Sequence, residues 1–297
     1  MPEPVTLRKS FISTAFLLVS ILFALYLQFH TLSFFKIIQW DESRLAVNAA
    51  EMYLNGNWLV TSFENQPDLY NTKPPLMIWL QTICIHLFGL NEMSVRLPSA
   101  LAGLFCILLT GRIVYEKTSR TGLSAIAILL LSVSGGFIQL HGSMTGDFDA
   151  LLTLFVLLAF RSFDQYIETE KKSALVYLIL WQSLAIMCKS AAGFIPLPIW
   201  FLLLILERKW HLLPKMMLAA GLSLVPFLVY ILVRESASAG YLVAIWDNDF
   251  HGRFSKALEG HTSEWYYYIV NLFTFRYSYW IWLLPVAIVY AFISSDN

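Results

Sequence analysis

The chain has 297 residues, of which 58% are hydrophobic and 13% charged, and its 20 basic and 20 acidic side chains give a formal net charge of zero. Mean hydropathy is +0.62. A soluble domain carries nearer a quarter of charged residues, and the apolar excess here is gathered into long runs, so the chain reads as an all-α polytopic membrane protein. Balanced charge leaves no basic footprint for nucleic acid. Cys84, Cys106 and Cys188 sit in apolar segments without ligand-like spacing and support neither a disulfide framework nor a zinc cluster.

Arg8 and Lys9 precede the first apolar run, Phe11–Phe35. No small-residue cleavage pattern interrupts Leu25–Phe29, so the run is expected to stay as an uncleaved first span. Directly after it stands Gln39-Trp40-Asp41-Glu42-Ser43-Arg44. From Glu42 to Leu54 the apolar Leu45, Ala49 and Met52 recur at i, i+4 and i+7, which predicts an amphipathic surface helix, with Asp41 placed to cap it and Gly56 to end it. An irregular stretch around Asn65–Asp68 leads to the rigid turn Lys73-Pro74-Pro75.

The next apolar stretch, Pro75–Gly89, would make a helix about 22 Å long, short against a hydrocarbon core of about 30 Å. Seven further runs are long enough to span, some with snorkelling flanks: Leu97–Val114, Leu123–Leu140, Ala150–Tyr166, Ala174–Cys188, Ala191–Leu206, Met216–Val233 and Tyr279–Ile293. Basic residues cluster at Arg8/Lys9, Arg112/Lys117/Arg120, Arg161/Lys171/Lys172 and Arg208/Lys209/Lys215. All four clusters fall on the cytoplasmic side only if Pro75–Gly89 lies along the membrane surface. Gln81, Thr82 and His86 share one arc of that helix, as an interfacial segment requires. The expectation is therefore about eight transmembrane helices plus two interfacial helices.

Residues 1–297 then form one membrane-embedded module, with outer connections at Lys36–Arg96, His141–Asp149, Lys189–Ala191 and Arg234–Ser278. The unusual polar residues gather in these connections: Asp41, Glu42, Lys73, Asp147, Asp149, Lys189, Asp247, Asp249, His251, Arg253 and His261. Acid and base beside the exit of a membrane helix suit a phosphate-linked lipid substrate.

Several of these motifs carry a resemblance. Trp40-Asp41-Glu42-Ser43-Arg44 with Ala49-Ala50-Glu51-Met52 and Gly56-Asn57-Trp58 resembles the first loop of the GT-C membrane glycosyltransferases. The closest branch holds the lipid A aminoarabinose transferases and the dolichyl-phosphate-mannose protein mannosyltransferases. Lys73-Pro74-Pro75-Leu76, Arg96-Leu97-Pro98-Ser99, Asp149-Ala150-Leu151-Leu152-Thr153, Arg253-Phe254, Gly260-His261 and Trp265-Tyr266-Tyr267 continue the likeness in order from about Phe11 to Pro285. It implies a GT-C-like fold and transfer of a sugar from a polyprenyl-phosphate carrier to a lipid A-like glycolipid, glycan or protein on the outer face. The implied setting is a bacterial inner membrane with the active site facing the periplasm.

Two features depart from the pattern. In the aminoarabinose branch an acidic metal ligand precedes the loop lysine, where this chain has Thr72, so no metal is implied with certainty and a divalent ion stays open. The sequence given ends at Asn297, so the expected likeness is to the catalytic half, without the family's C-terminal spans and outer domain.

Each candidate has a plain structural reading beside its functional one. Asp41 is a helix N-cap, or the base that takes the acceptor hydroxyl's proton, or both. Glu42 favours the helix dipole or acts directly. Lys73 anchors at the interface or contacts the donor phosphate, with Arg44 and Lys189 as weaker candidates for the same anion. Asp147 and Asp149 either cap the fourth span or supply a second acid, and register with the family favours Asp149. Arg253 could bind phosphate, and His261, His251 and Asp249 could serve the acceptor or a metal. Trp265 to Tyr268 reads first as an aromatic belt. A lipid or solute transporter and an inactive fragment are the rival readings; no Gly-rich phosphate loop points to a nucleotide sugar.

Overall fold

The structure is a computed structural model that describes residues 4–139, 141–251, 266–271, 273–274, 280 and 282–295. It is almost wholly helical; one two-residue ladder, β1 (Ser62–Phe63) with β2 (Gln66–Pro67), pairs antiparallel inside the first loop. The helices in chain order are α1 (Pro4–Phe29), α2 (Asp41–Asn55), α3 (Leu76–Phe88), α4 (Glu92–Thr118), α5 (Thr121–Ser132), α6 (Gly135–Ile138) and α7 (Asp149–Thr169). Then come α8 (Lys172–Cys188), α9 (Ser190–Gly193), α10 (Pro196–Leu206), α11 (Leu213–Ala237), α12 (Tyr241–Ile245), a π-helical turn at Trp246–His251, and helices at Tyr267–Asn271 and Leu283–Ser295.

Among the described residues, four helices are long and apolar enough to cross a membrane: Phe11–Phe29, Glu92–Thr118, Asp149–Thr169 and Trp210–Ala237. Shorter apolar helices are Leu76–Phe88, Thr121–Ser132, Lys172–Cys188 and Ser190–Leu206. The chain is an integral membrane protein. Its outward surfaces are correspondingly apolar, as with Phe11, Leu22, Phe105, Val176, Leu218 and Leu232.

Chain direction sorts the two ends. α1 finishes, α4 begins, α7 begins and α8 finishes at one end, so α2 and α3 both lie there. The opposite end carries an ion-pair network: Glu116 receives Arg112 and Arg161, Lys117 meets Asp164, and Glu170 receives His211 and Lys215. The basic clusters and the acidic first loop therefore occupy opposite ends, as the sequence reading required.

Three expected spans are interrupted. The Phe11–Phe35 run leaves the helix at Phe29, because the carbonyls of Leu32, Phe35 and Lys36 turn to the Arg96 guanidinium. Leu123–Leu140 stops at Ser132, where the Ser132 and Ser134 hydroxyls back-bond to Ile128 and Leu130 ahead of two glycines. Ala191–Leu206 breaks before Pro196 and Pro198, which cannot donate into a ladder.

The helix at Leu76–Phe88 also differs from expectation. Its polar arc is turned inward: Gln81 and Thr82 are fully buried, and Gln81 donates to the carbonyls of Val95 and Gly146 at 2.9 Å each. His86 packs between Tyr53 and Trp58, while Ile83, Leu87 and Phe88 face outward. Beneath the first loop, Leu45, Ala49 and Met52 of α2 pack with Met77, Ile78 and Ile85 of α3 and with Phe148, Leu151 and Phe155. That core fixes the loop onto the bundle.

At Gly103 of α4 another segment presses close. A Cβ there would lie 2.3 Å from Ser143 Cβ and 2.9 Å from Gln28 Oε1. Gly103→Ala is expected to lower stability by about 1–3 kcal/mol, the usual cost of overpacking, as read by thermal unfolding of the detergent-solubilised protein. An unchanged unfolding midpoint would contradict this packing.

Candidate functional site

The site is built around a buried ion pair between α2 and α4. Arg96 is only 2% exposed. Its Nε and Nη2 donate to the two oxygens of Glu42 at 2.7 and 3.0 Å. Its remaining donors reach the carbonyls of Leu32, Phe35 and Lys36 at 3.1, 2.7 and 3.0 Å. All five guanidinium N–H groups are thus used. Glu42 in turn accepts from Ile38 N at 2.7 Å and from Gly146 N at 2.9 Å, which fills its acceptor positions. It has no acceptor position left for a substrate, and it ties four stretches of chain together.

Glu42 also closes the start of α2, so Asp41 is not the cap that the sequence suggested. The cap residue is Trp40, held at φ 79°, and Asp41 makes no capping hydrogen bond. With Glu42 turned inward, its neighbour points away from the core, and the Asp41 side chain is 66% exposed. Gly56 does end the helix in the left-handed conformation, φ 70°, as expected.

Opposite Asp41 lies the segment 141–148. His141, another non-glycine residue at positive φ (61°), sets its Nδ1 3.7 Å from Asp41 Oδ2 and 3.3 Å from Asp147 Oδ2. Asp147 is buried and accepts from Thr145 Oγ1 at 3.0 Å, and its backbone carbonyl receives Ser99 Oγ at 2.8 Å. Burial pushes its carboxyl above the usual range. Thr145 and His141 oppose that shift, and the charges of Asp41 and Asp149 add to it.

Lys73 shares a small cleft with Asp41, lined also by Arg44, Leu45, Tyr70, Asn71 and Phe148. Its Nζ stands 5.4 Å from the centre of the Phe148 ring. The loop that carries it is pinned from both sides. Tyr241 donates its hydroxyl to Thr72 O, and Asn248 donates to Leu69 O. On the α2 side Asp68 collects Arg44, Asn48 and the backbone N–H groups of Tyr70 and Asn71. Burial opposes ionisation of Asp68, but these bonds outweigh it and hold the carboxyl below its ordinary value.

Arg44 is therefore committed. It makes a two-point pair with Asp68, at 3.0 and 2.7 Å, and lies between the rings of Phe63 and Tyr70, each 4.4 Å away. Lys189 is likewise paired, with Asp149. Beside it Ser190 Oγ donates to the buried Asp249 at 2.6 Å, which brings the π-helical turn against α9. His251 stacks on Trp246 and is not brought to the Asp41 cluster. Arg253 and His261 lie outside the described residues.

The position that the aminoarabinose pattern gives to a metal-ligating acid is Thr72, buried, its hydroxyl unpartnered among the described residues. A neutral hydroxyl does not replace a carboxylate there, so that metal does not fit this chain. His141 and Arg96 were both missed as functional residues. Arg96 appeared in the sequence only inside a matching motif and as the last residue of the first outer connection, and His141 only as the first residue of the second. A histidine six residues before an Asp-Phe-Asp was the available signal.

Residues 72–232 match the family described as dolichyl-phosphate-mannose-protein mannosyltransferase. An undecaprenyl phosphate-alpha-4-amino-4-deoxy-L-arabinose arabinosyl transferase of Erwinia tasmaniensis is 28% identical over 293 residues, covering 92% of this chain and 49% of that protein. An uncharacterized protein of Aquifex aeolicus is 30% identical over 191 residues, covering 64% of this chain and 37% of that protein. The crystal structure of ArnT from Cupriavidus metallidurans bound to undecaprenyl phosphate has the same fold, with a TM-score of 0.74 at 19% identity, covering 92% of this chain and 50% of that one. The chain thus spans about half the length of the two named transferases.

Glu42→Gln keeps the shape of the clasp but leaves the buried Arg96 charge without its counter-ion. Breaking such a pair costs about 3–5 kcal/mol, so a large drop in unfolding temperature and in folded yield is expected. A variant as stable as the wild type would show that the pair does not hold this end together.

Proposed function

The chain belongs to the dolichyl-phosphate-mannose-protein mannosyltransferase family, and on that premise we propose a membrane glycosyltransferase that moves a sugar from a polyprenyl-phosphate carrier to a hydroxyl acceptor. One observation carries the reading: an exposed carboxylate, Asp41, and an ammonium, Lys73, line one cleft at the membrane end of the bundle. The neighbouring acid is fully consumed in the clasp.

In this reading Asp41 is the base. The acceptor oxygen attacks the anomeric carbon as Asp41 takes its proton, and the bond from that carbon to the phosphate oxygen breaks. Polyprenyl phosphate leaves with the electron pair, and Lys73 balances the charge it gains. Attack opposite the leaving group inverts the anomeric centre. Glu42 is a positioning residue. Asp149 and Lys189 act as a pair, so Lys189 reaches phosphate only by exchanging its partner. Arg44 lends the cleft its positive edge but is neutralised by Asp68. Arg253 is the further phosphate contact the sequence offers.

The donor named for the Erwinia relative is an undecaprenyl-phosphate aminoarabinose, and donors of that class are the first to try. A glycolipid such as lipid A, a glycan or a protein would accept the sugar. The proposed setting is a bacterial inner membrane crossed about eight times, with α2 and α3 at its outer surface and the cleft facing the periplasm. Opposed basic and acidic ends support that orientation. A transporter would place its charges near the midplane, whereas Asp41, Lys73, Asp147 and Asp149 gather at one end.

The test is release of polyprenyl phosphate from a panel of polyprenyl-phosphate sugars by protein in lipid nanodiscs. Asp41→Asn is expected to lower release by about 10²–10⁴-fold, the usual contribution of a positioned base, while donor binding persists. Lys73→Ala should weaken donor binding instead. Release by Asp41→Asn at the wild-type rate would remove Asp41 from the chemistry.

A further inference from the structure

α4 turns one stripe of side chains outward, with Leu101, Phe105 and Arg112 exposed along it at helical spacing. Arg112 lies six residues before the end of α4, so it sits about 9 Å inside the helix terminus. A groove runs along each side of the stripe, and Leu108 and Arg112 line both. One, of about 360 Å³, lies between α1, α4 and α5. The other, of about 430 Å³, lies between α4, α7 and α8.

Both grooves grade from polar to apolar as a lipid does. In the first, Thr14, Tyr115 and Thr121 stand nearer the basic end, and Leu17, Ile21 and Ile128 lead inward. The second is walled by Phe105, Leu109, Leu154, Phe155, Leu158 and Trp181, and Arg112 is its one charged lining residue.

The charge at their meeting point is not fully matched. Glu116 accepts from Arg112 Nε at 2.7 Å and from both terminal nitrogens of Arg161 at 2.7 and 2.9 Å. One carboxylate thus serves two guanidinium groups. Arg112 Nη1 and Nη2 have no hydrogen-bond partner among the described residues. An arginine that only snorkels needs no groove on either side of it. Two apolar grooves that meet at one guanidinium match two acyl chains that meet at one phosphate.

We propose that an anionic diacyl phospholipid binds here, its phosphate on Arg112 and one chain in each groove. Basic pockets between membrane helices bind anionic headgroups in this way. A polyprenyl phosphate has a single chain and would leave one groove empty. The site lies at the end of the bundle opposite Asp41 and Lys73, and it does not rest on the transferase reading.

The test is native mass spectrometry of the whole chain released from detergent, after titration with dioleoyl phosphatidylglycerol or dioleoyl phosphatidylcholine. Wild type should retain one phosphatidylglycerol about fivefold more tightly than phosphatidylcholine, the gain expected of one basic side chain at a headgroup. Arg112→Gln should abolish that preference and Arg112→Lys should keep part of it. Lys172→Gln, at the same end but outside both grooves, should leave it unchanged. Leu158→Trp fills the second groove without altering charge. It should weaken retention of the two-chain lipid and spare lyso-phosphatidylglycerol, which has one chain. Equal retention of both lipids by wild type, a preference that survives in Arg112→Gln, or an equal loss in Lys172→Gln overturns the site. Displacement of phosphatidylglycerol by undecaprenyl phosphate would assign the grooves to a polyprenyl lipid and overturn it too. If Arg112→Gln unfolds less cooperatively than wild type, Leu158→Trp decides, and its holding phosphatidylglycerol as tightly as wild type overturns the proposal.

Discussion

Burying an arginine and a glutamate at a membrane edge costs several kcal/mol per ion before their attraction is counted. The pair between Glu42 and Arg96 tolerates that cost because nothing on either group is left unmet. Arg96 spends its five N–H groups on Glu42 and on three carbonyls at the end of α1, and Glu42 spends its oxygens on Arg96, Ile38 N and Gly146 N. One interaction thereby joins the exit of α1, the start of α2, the start of α4 and the turn before α7. It also sets the direction of its neighbour in the chain. Successive residues on a helix point about 100° apart, so a glutamate locked inward turns Asp41 out toward the cleft.

The remaining charges divide into those that build and those left for work. Arg44 with Asp68 and Lys189 with Asp149 are neutralised locally, and each pins a stretch of backbone near the cleft. At the opposite end Glu116 joins Arg112 to Arg161, and Glu170 joins His211 to Lys215, in a network between helices. Such exposed pairs add little stability individually. Asp41 and Lys73 line one cleft, and Asp147 lies beside Asp41 across the His141 ring.

Much of this was legible in the sequence because it rests on local rules. Apolar runs marked the spanning helices, the Leu45–Ala49–Met52 spacing marked α2, and the basic clusters required α2 and α3 to share one end. Where the reading failed, long-range partners overrode local preference. Asp41 has the side chain of a good cap, but Glu42 reaches back to Ile38 N because Arg96, far along the chain, holds it there. Gln81 and Thr82 form the polar arc of an interfacial helix, yet the carbonyls of Val95 and Gly146 offer Gln81 a better partner than water does. His141 had no periodicity to announce it and gains meaning only when the segment after α6 folds back on Asp41.

That folding-back carries backbone strain. Trp40 and His141, on segments far apart in the chain, both sit at positive φ, 79° and 61°. Non-glycine residues in such regions cost of order 1–3 kcal/mol each and persist only where their surroundings over-determine them. Around Trp40, its carbonyl accepts from Arg44 N and Ser43 Oγ, and Ser43 N donates to Ile38 O. Around His141, the N–H groups of Gly142, Ser143 and Met144 return to the carbonyls of Gln139, Phe137 and Ile138. Both strained residues flank the point where Asp41 faces His141, and both are anchored to segments that the Glu42 clasp holds in register. Stability in the buried pair thus offsets strain at the cleft, and in the proposed transferase reading this fixed backbone is what would present Asp41 to an acceptor.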